Sequence, residues 1–138
     1  DQVFGAGETQ RAAAKDRWLT LWEDTAVDGS QTHVTADTTT MRMKGENMVV
    51  WEWAEYKDAD GNVTQIAFMK KHVNLPQGTE RTVQADIWTP AQGWQDAGDS
   101  LDGSYRMLAV DTPEYQGLLH LREYAGANSS WVHRYAIW

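Results

Sequence analysis

The sequence predicts a mainly β domain of about eight antiparallel strands, folded as a barrel or a two-sheet sandwich with one N-terminal α-helix. After Asp24, apolar and polar residues alternate with a period of two, in stretches rich in Thr, Val, Trp and Tyr. The chain has 138 residues, of which 41% are hydrophobic and 23% charged, and this suits a single domain over 1–138. The alternative is an α+β cone, in which a curved sheet wraps around helices.

The helix is predicted over Glu8–Glu23. Three alanines lie among Gln, Arg and Lys, and apolar residues recur at helical spacing from Ala14 to Trp22. Trp18, Thr20 and Trp22 also alternate, so a strand is the alternative for this second half. The segment Asp1–Gly7 before the helix is expected to be extended.

The predicted strands are bounded mostly by turn residues. They are Gln31–Ala36, Thr38–Lys44, Asn47–Tyr56, Val63–His72, Glu80–Thr89, Ser104–Val110, Gln116–Ala125 and Ser130–Trp138.

The clearest hairpin turn is Asp60-Gly61, which has the residues of a tight primed turn. It predicts that Trp53 lies opposite Phe68 and Trp51 opposite Lys70, with one strongly apolar face that we expect in the core. That face consists of Val49, Trp51, Trp53, Ile66 and Phe68. The long connection from Pro90 to Gly103 is expected to be functional or mobile.

The candidate site comes from a second predicted hairpin, Gly117–Trp138. Residues opposite each other in a hairpin share a face of the sheet, so one face combines aromatic and hydrogen-bonding side chains. The alternative is an exposed face whose side chains only hydrogen-bond across the strands. We expect His120, His133 and Tyr135 to be catalytic, should the protein be an enzyme, and Arg122, Tyr124 and Trp131 to bind ligand.

Tryptophan is unusually frequent, with 8 Trp against 2 Phe. A core does not need so many indole N–H groups, so some tryptophans are expected to face a ligand or another subunit. Trp88 and Trp94 are the leading candidates, because Trp88 has outward parity in its strand and Trp94 lies in the long connection.

Three functions fit these patterns. The first is binding of a small apolar or aromatic ligand in a cavity lined by Trp and Tyr. The second is a cofactor-independent lyase, isomerase or cyclase that uses His, Tyr and Arg for acid–base chemistry in the same cavity. The third is a structural or assembly subunit of a fibre or capsid. Both an enzyme and a protein without catalytic activity are therefore compatible with the sequence.

The composition and net charge indicate which classes of binding partner to expect. The formal net charge of −8 and the pI near 4.8 disfavour nucleic acid and anionic membrane surfaces. The chain has no cysteine, and its histidines are scattered, so we expect no metal and no cofactor. A homo-oligomer remains an open alternative. The start without Met leads us to expect a secreted or extracytoplasmic protein after signal cleavage.

Overall fold

The computed structural model describes residues 17–127, and they form one curled antiparallel sheet with a helix against it. The strands are β1 (Trp18–Thr25), β2 (Gln31–Asp37), β3 (Arg42–Lys44), β4 (Asn47–Lys57), β5 (Val63–Asn74), β6 (Thr79–Thr89), β7 (Gly93–Asp96) and β8 (Arg106–Met107), followed by helix α1 (Pro113–Ala127).

The sheet is a half-barrel with the strand order β1-β2-β4-β5-β6-β7, while β3 pairs with β4 and β8 with β6. The predicted mainly β class is therefore confirmed. A closed barrel or a two-sheet sandwich is not what these residues form, because among residues 17–127 all strands belong to one sheet and β1 and β7 lie at its two ends.

The prediction of a helix through Trp18–Glu23 is wrong, because this segment is strand β1. The first half of that predicted helix, like the extended segment Asp1–Gly7, lies outside the described residues. Within residues 17–127 the α-helix is α1, at the other end of the chain.

The prediction of a strand over Gln116–Ala125 is also wrong, because the segment lies in α1. Pro113 occupies the first helical position, where its missing N–H costs nothing. The Thr112 hydroxyl oxygen accepts a hydrogen bond from the Tyr115 N–H, and this caps the helix. The predicted hairpin Gly117–Trp138 therefore has no first strand, and its second strand, Ser130–Trp138, lies outside the described residues.

Three further differences concern shorter segments. Residues 38–40 turn instead of starting a strand, because the Asp37 carboxylate accepts hydrogen bonds from the Thr39 N–H and hydroxyl. The connection from Pro90 to Gly103 contains strand β7, which pairs with β6. The predicted strand Ser104–Val110 is reduced to the two residues of β8.

The predicted register of the Asp60-Gly61 hairpin is confirmed, since Trp53 lies opposite Phe68 and Trp51 opposite Lys70. The predicted core face is wrong. Buried positions alternate with that face along β4 and β5, so the aromatic residues point outward, away from the helix. The core is formed instead by small and aliphatic side chains of the concave face with those of α1, including Val34, Val50, Ala54, Ala67, Leu118 and Leu121.

Helix α1 reaches the sheet at Gly117. A Cβ atom at this position would lie 2.5 Å from the Leu21 carbonyl oxygen and 2.9 Å from the Leu21 Cβ. Both distances are shorter than real Cβ contacts, so the absent side chain allows the helix to approach β1. Leu118 and Leu121 then fill the space beneath it.

We expect Gly117→Ala to destabilise the protein by roughly 1–3 kcal/mol, because the added methyl group separates helix and strand. Helix propensity alone predicts a gain of about 1 kcal/mol for the same change. Urea unfolding followed by circular dichroism measures the difference. Arg122→Ala, on the exposed side of the helix, is the control and should change stability by less than about 0.5 kcal/mol. A Gly117→Ala protein as stable as the wild type would show that the approach is not tight.

Candidate functional site

The concave side of the sheet contains a cavity of about 390 Å³, which we call the concave cavity. One part of its wall is apolar or aromatic and another part is charged. The lining residues are Trp22, Val34, Glu52, Ala54, Tyr56, Met69, Lys71, Glu80, Thr82, Arg106 and Glu114.

Two β-bulges direct side chains into this cavity. The register of β1 with β2 shifts between Thr20 and Trp22, so Trp22 lies on the concave side although Trp18 faces outward. The register of β5 with β6 shifts by one extra residue, Val83, and this turns Thr82 and Glu80 inward. Bulges commonly re-aim side chains in this way next to binding sites.

Four charged residues form the polar part of the cavity, each from a different strand, and we call them the charged quartet. Lys71 Nζ lies 3.1 Å from Glu52 Oε1 and 3.5 Å from Glu80 Oε1. Arg106 Nε donates a hydrogen bond of 2.5 Å to Glu80 Oε2, and its Nη2 contacts the same oxygen. The Glu52, Lys71 and Glu80 side chains are 5%, 10% and 2% exposed, whereas Arg106 is 62% exposed.

Burial and charge oppose each other within the quartet. Burial raises the pKa of Glu52, and the nearby Glu80 charge adds to this, while Lys71 lowers it in part; the net direction is upward. Burial alone would lower the pKa of Lys71, but the Glu52 and Glu80 carboxylates outweigh it and raise the pKa. Lys71 is therefore charged at neutral pH.

The predicted site residues lie elsewhere. His120 and Arg122 are exposed on α1, and Tyr124 packs at the margin of the core. None of these three lines the concave cavity as the described residues form it. Trp131, His133 and Tyr135 lie outside the described residues, so their roles stay predictions.

Trp88 and Trp94 lie directly opposite each other on the outer side of the sheet. Trp88 is half-buried and Trp94 is 49% exposed. They belong to a set of outward-facing aromatic residues that we call the aromatic face: Trp18, Trp51, Trp53, Phe68, Trp88 and Trp94.

A second depression, of about 470 Å³, lies where β1, β2 and β4 end near Glu23, His33 and Glu55. All of its lining residues are polar, so it lacks the apolar wall that small-molecule sites use.

No group of three or more His, Asp or Glu side chains within residues 17–127 is arranged to hold a metal ion. No helix in the same range is long and apolar enough to cross a membrane.

Sequence reasoning missed the charged quartet. Glu52 and Lys71 have the parity of the face opposite the expected core, and Glu80 would have outward parity without the bulge at Val83. Parity within β4 and β5 could have paired Glu52 with Lys71, because the confirmed register brings them to neighbouring positions on one face. Nothing in the sequence marks Val83 as a bulge.

No protein-family model, no curated protein and no solved structure matches the chain.

We expect Lys71→Met to destabilise the protein by about 3–5 kcal/mol, because it leaves the Glu52 and Glu80 carboxylates buried without this cation. The double variant Lys71→Met/Glu52→Gln should recover part of this loss, since it removes one of the unpaired charges. Chemical unfolding of the two single variants and the double variant gives the coupling free energy. Additive effects would show that the Lys71–Glu52 pair is not energetically coupled.

Proposed function

We propose that the protein binds a small molecule with a flat apolar body and a cationic group in the concave cavity. The observation that carries the proposal is the composition of this cavity, which joins an aromatic wall to buried carboxylates. The proposed class of ligand agrees with the apolar or aromatic ligand expected from the sequence, but the residues proposed to bind it differ from those that the sequence suggested.

The aromatic wall would hold the body of the ligand. Trp22, Tyr56 and Met69 line the cavity together, and all three are only partly buried, so they keep surface for a ligand to cover. Aromatic rings and the polarizable Met sulfur favour flat, unsaturated groups. A volume of about 390 Å³ lies within the usual range of small-ligand sites.

The charges would select the polar group. The cavity contains the carboxylates of Glu52, Glu80 and Glu114 against the cations of Lys71 and Arg106, which leaves one carboxylate in excess. The whole chain has a formal net charge of −8 and so favours the approach of cations. A protonated amine would neutralise the excess negative charge and could also lie against the face of the Trp22 or Tyr56 ring.

A matched set of three probes tests this proposal: tryptamine, 3-ethylindole and indole-3-propionate carry the same ring with a positive, a neutral and a negative side chain. We expect tryptamine to bind most tightly and indole-3-propionate most weakly. Calorimetry together with chemical-shift changes in the ¹H–¹⁵N NMR spectrum would measure affinity and location, the largest shifts being expected at Trp22 and Tyr56.

The control variants lie on the same strand. Glu52→Gln should weaken tryptamine binding by about tenfold, through loss of a charge-assisted contact. Glu55→Gln alters a carboxylate on the outer face of β4 and should leave the affinity unchanged. Equal effects of the two variants, or no shifts around the concave cavity with any of the three indoles, would contradict the proposal.

A cofactor-independent lyase or isomerase is the second candidate, and one observation favours it. Glu52 is a buried carboxyl group with a raised pKa in a cavity that also contains the Tyr56 side chain. A general acid or base works best when its pKa approaches the working pH. Glu52 would then take the role that the sequence assigned to His120, His133 and Tyr135.

The pKa of Glu52 tests this second candidate. Side-chain carboxyl ¹³C NMR across a pH titration should give a midpoint above the ordinary value of 4.5, because protonation removes a buried charge. The spectrum of Glu52→Gln assigns the signal, because it lacks the Glu52 carboxyl resonance. A Glu52 midpoint at or below 4.5 would remove the acid–base candidate.

A further inference from the structure

The aromatic face lies on the opposite side of the sheet from the concave cavity and is not used by the proposed ligand. Its rings contact one another. The ring centres of Trp53 lie 6.2 Å from Trp18, 5.8 Å from Phe68 and 5.7 Å from Trp94, and Trp51 stacks on Phe68 at 4.8 Å. Trp18 is 37% exposed and Trp94 49%. Contiguous exposed aromatic surface of this kind is typical of an interface.

The orientation of the rings argues against a sugar as the occupant. Trp53 is inclined by 61° to Trp18 and by 56° to Trp94, so the rings form no flat platform on which a sugar ring could stack. Their edges and faces make an uneven surface that suits interdigitating side chains instead.

The registers arrange the outward-facing residues in rows across the strands. The central row contains Trp53, Phe68 and Asp86. Toward one end of the strands, the next row contains Lys70, and the row after it contains His72 and Arg81. We call these two rows the basic end. The next row toward the other end contains Glu55 and, across β2, Glu23, and we call this row the acidic end. Lys57 lies one row beyond the acidic end.

The chemistry of the basic end agrees with this arrangement. Lys70 Nζ lies 5.9 Å from the centre of the Trp51 ring, and Arg81 lies over the Tyr105 ring. The pKa of His72 is lowered, by burial first and then by the charges of Arg81 and Lys70. The two ends of the aromatic face therefore differ in charge, and aromatic rings lie in all three rows: Trp51 beside Lys70, Trp53 and Phe68 in the centre, and Trp88 and Trp94 in the row of Glu55.

We propose that the aromatic face binds a second copy of this chain, in a two-fold dimer whose axis lies in the interface and runs across the strands. Such an axis reverses the strand direction, so it places the Lys70 row of each copy over the Glu55 row of the other. It also stacks the central rows on each other, so that Trp53 and Phe68 meet the same residues of the partner copy and Asp86 faces the partner's Asp86. An axis along the strands would place Lys70 rows on each other and Glu55 rows on each other, so it creates two rows of like-charge contacts and no row of opposite charges, and it is the less favourable arrangement.

Sedimentation velocity across the micromolar range tests the proposal, and the wild type should be a dimer. Lys70→Glu and Glu55→Lys should each weaken the dimer, because each creates a like-charge contact that the symmetry repeats. A roughly tenfold loss of affinity at each of the two symmetric contacts corresponds to a dimer dissociation constant about a hundredfold higher. The double variant Lys70→Glu/Glu55→Lys exchanges the charges and should restore the dimer.

Controls come from the exposed side of α1. Arg122→Glu and Glu123→Lys alter the net charge of the chain by the same amounts as the two test variants, and they should leave the dimer intact. Circular dichroism spectra confirm that each variant is folded, which matters for Glu55→Lys because Trp53 Nε1 donates a hydrogen bond to Glu55. Trp94→Ala, in the edge strand β7, should also weaken the dimer.

A monomer at every concentration would overturn the proposal and leave the aromatic face to another occupant. A dimer that survives both single charge reversals would place the contact on another surface. Neither outcome bears on the concave cavity, so the dimer and the proposed ligand site can fail separately.

Discussion

The buried ammonium group of Lys71 ties together the strands that surround the cavity. It pairs with Glu52 of β4 and Glu80 of β6, and Glu80 pairs in turn with Arg106 of β8. Buried charges of this kind are costly unless their partners stay in place, so the network resists any slip in register between these strands. A slip by one residue would move each charge to the opposite face of the sheet. The network therefore fixes which side of the sheet is concave and covered by the helix, and which side carries the aromatic residues.

The sequence predicted the central part of the sheet correctly, because the signals there are local. Asp60-Gly61 sets the turn, and β4 and β5 then pair in the expected register through Trp53 and Phe68. The same pattern could not tell the inner face from the outer one. Hydrophobicity pointed to the tryptophans, whereas the buried face consists of small and aliphatic residues such as Ala54 and Ala67, and the helix approaches the sheet closely at Leu21 of β1. Hydrophobicity alone therefore did not identify the buried face.

The two errors in helix placement have different causes. In Gln116–Ala125 the alternation of Leu119 and Leu121 resembled a strand, although Thr112 and Pro113 form a recognisable helix start. The β1 error arose because Trp18–Glu23 fits both periods, and pairing with β2 decides in favour of the strand. The inward position of Trp22 depends on a bulge, and that of Glu80 on another. Bulges are properties of a pair of strands, and so a pattern within one strand does not reveal them.

The division of the sheet into two faces separates two kinds of interaction. On the concave side, the polar groups are few, buried and paired, which suits a small ligand that must match them in position. On the outer side, a basic row and an acidic row lie toward opposite ends of a broad aromatic surface, and this suits a large partner with the opposite arrangement. The chain itself has that arrangement once it is turned by a two-fold axis across the strands. Because β4 and β5 contribute to both faces, through Glu52 and Lys71 on one and Trp53 and Lys70 on the other, dimer contacts would hold the strands that carry the charged quartet. Self-association would then stabilise the same register that the buried ammonium group requires.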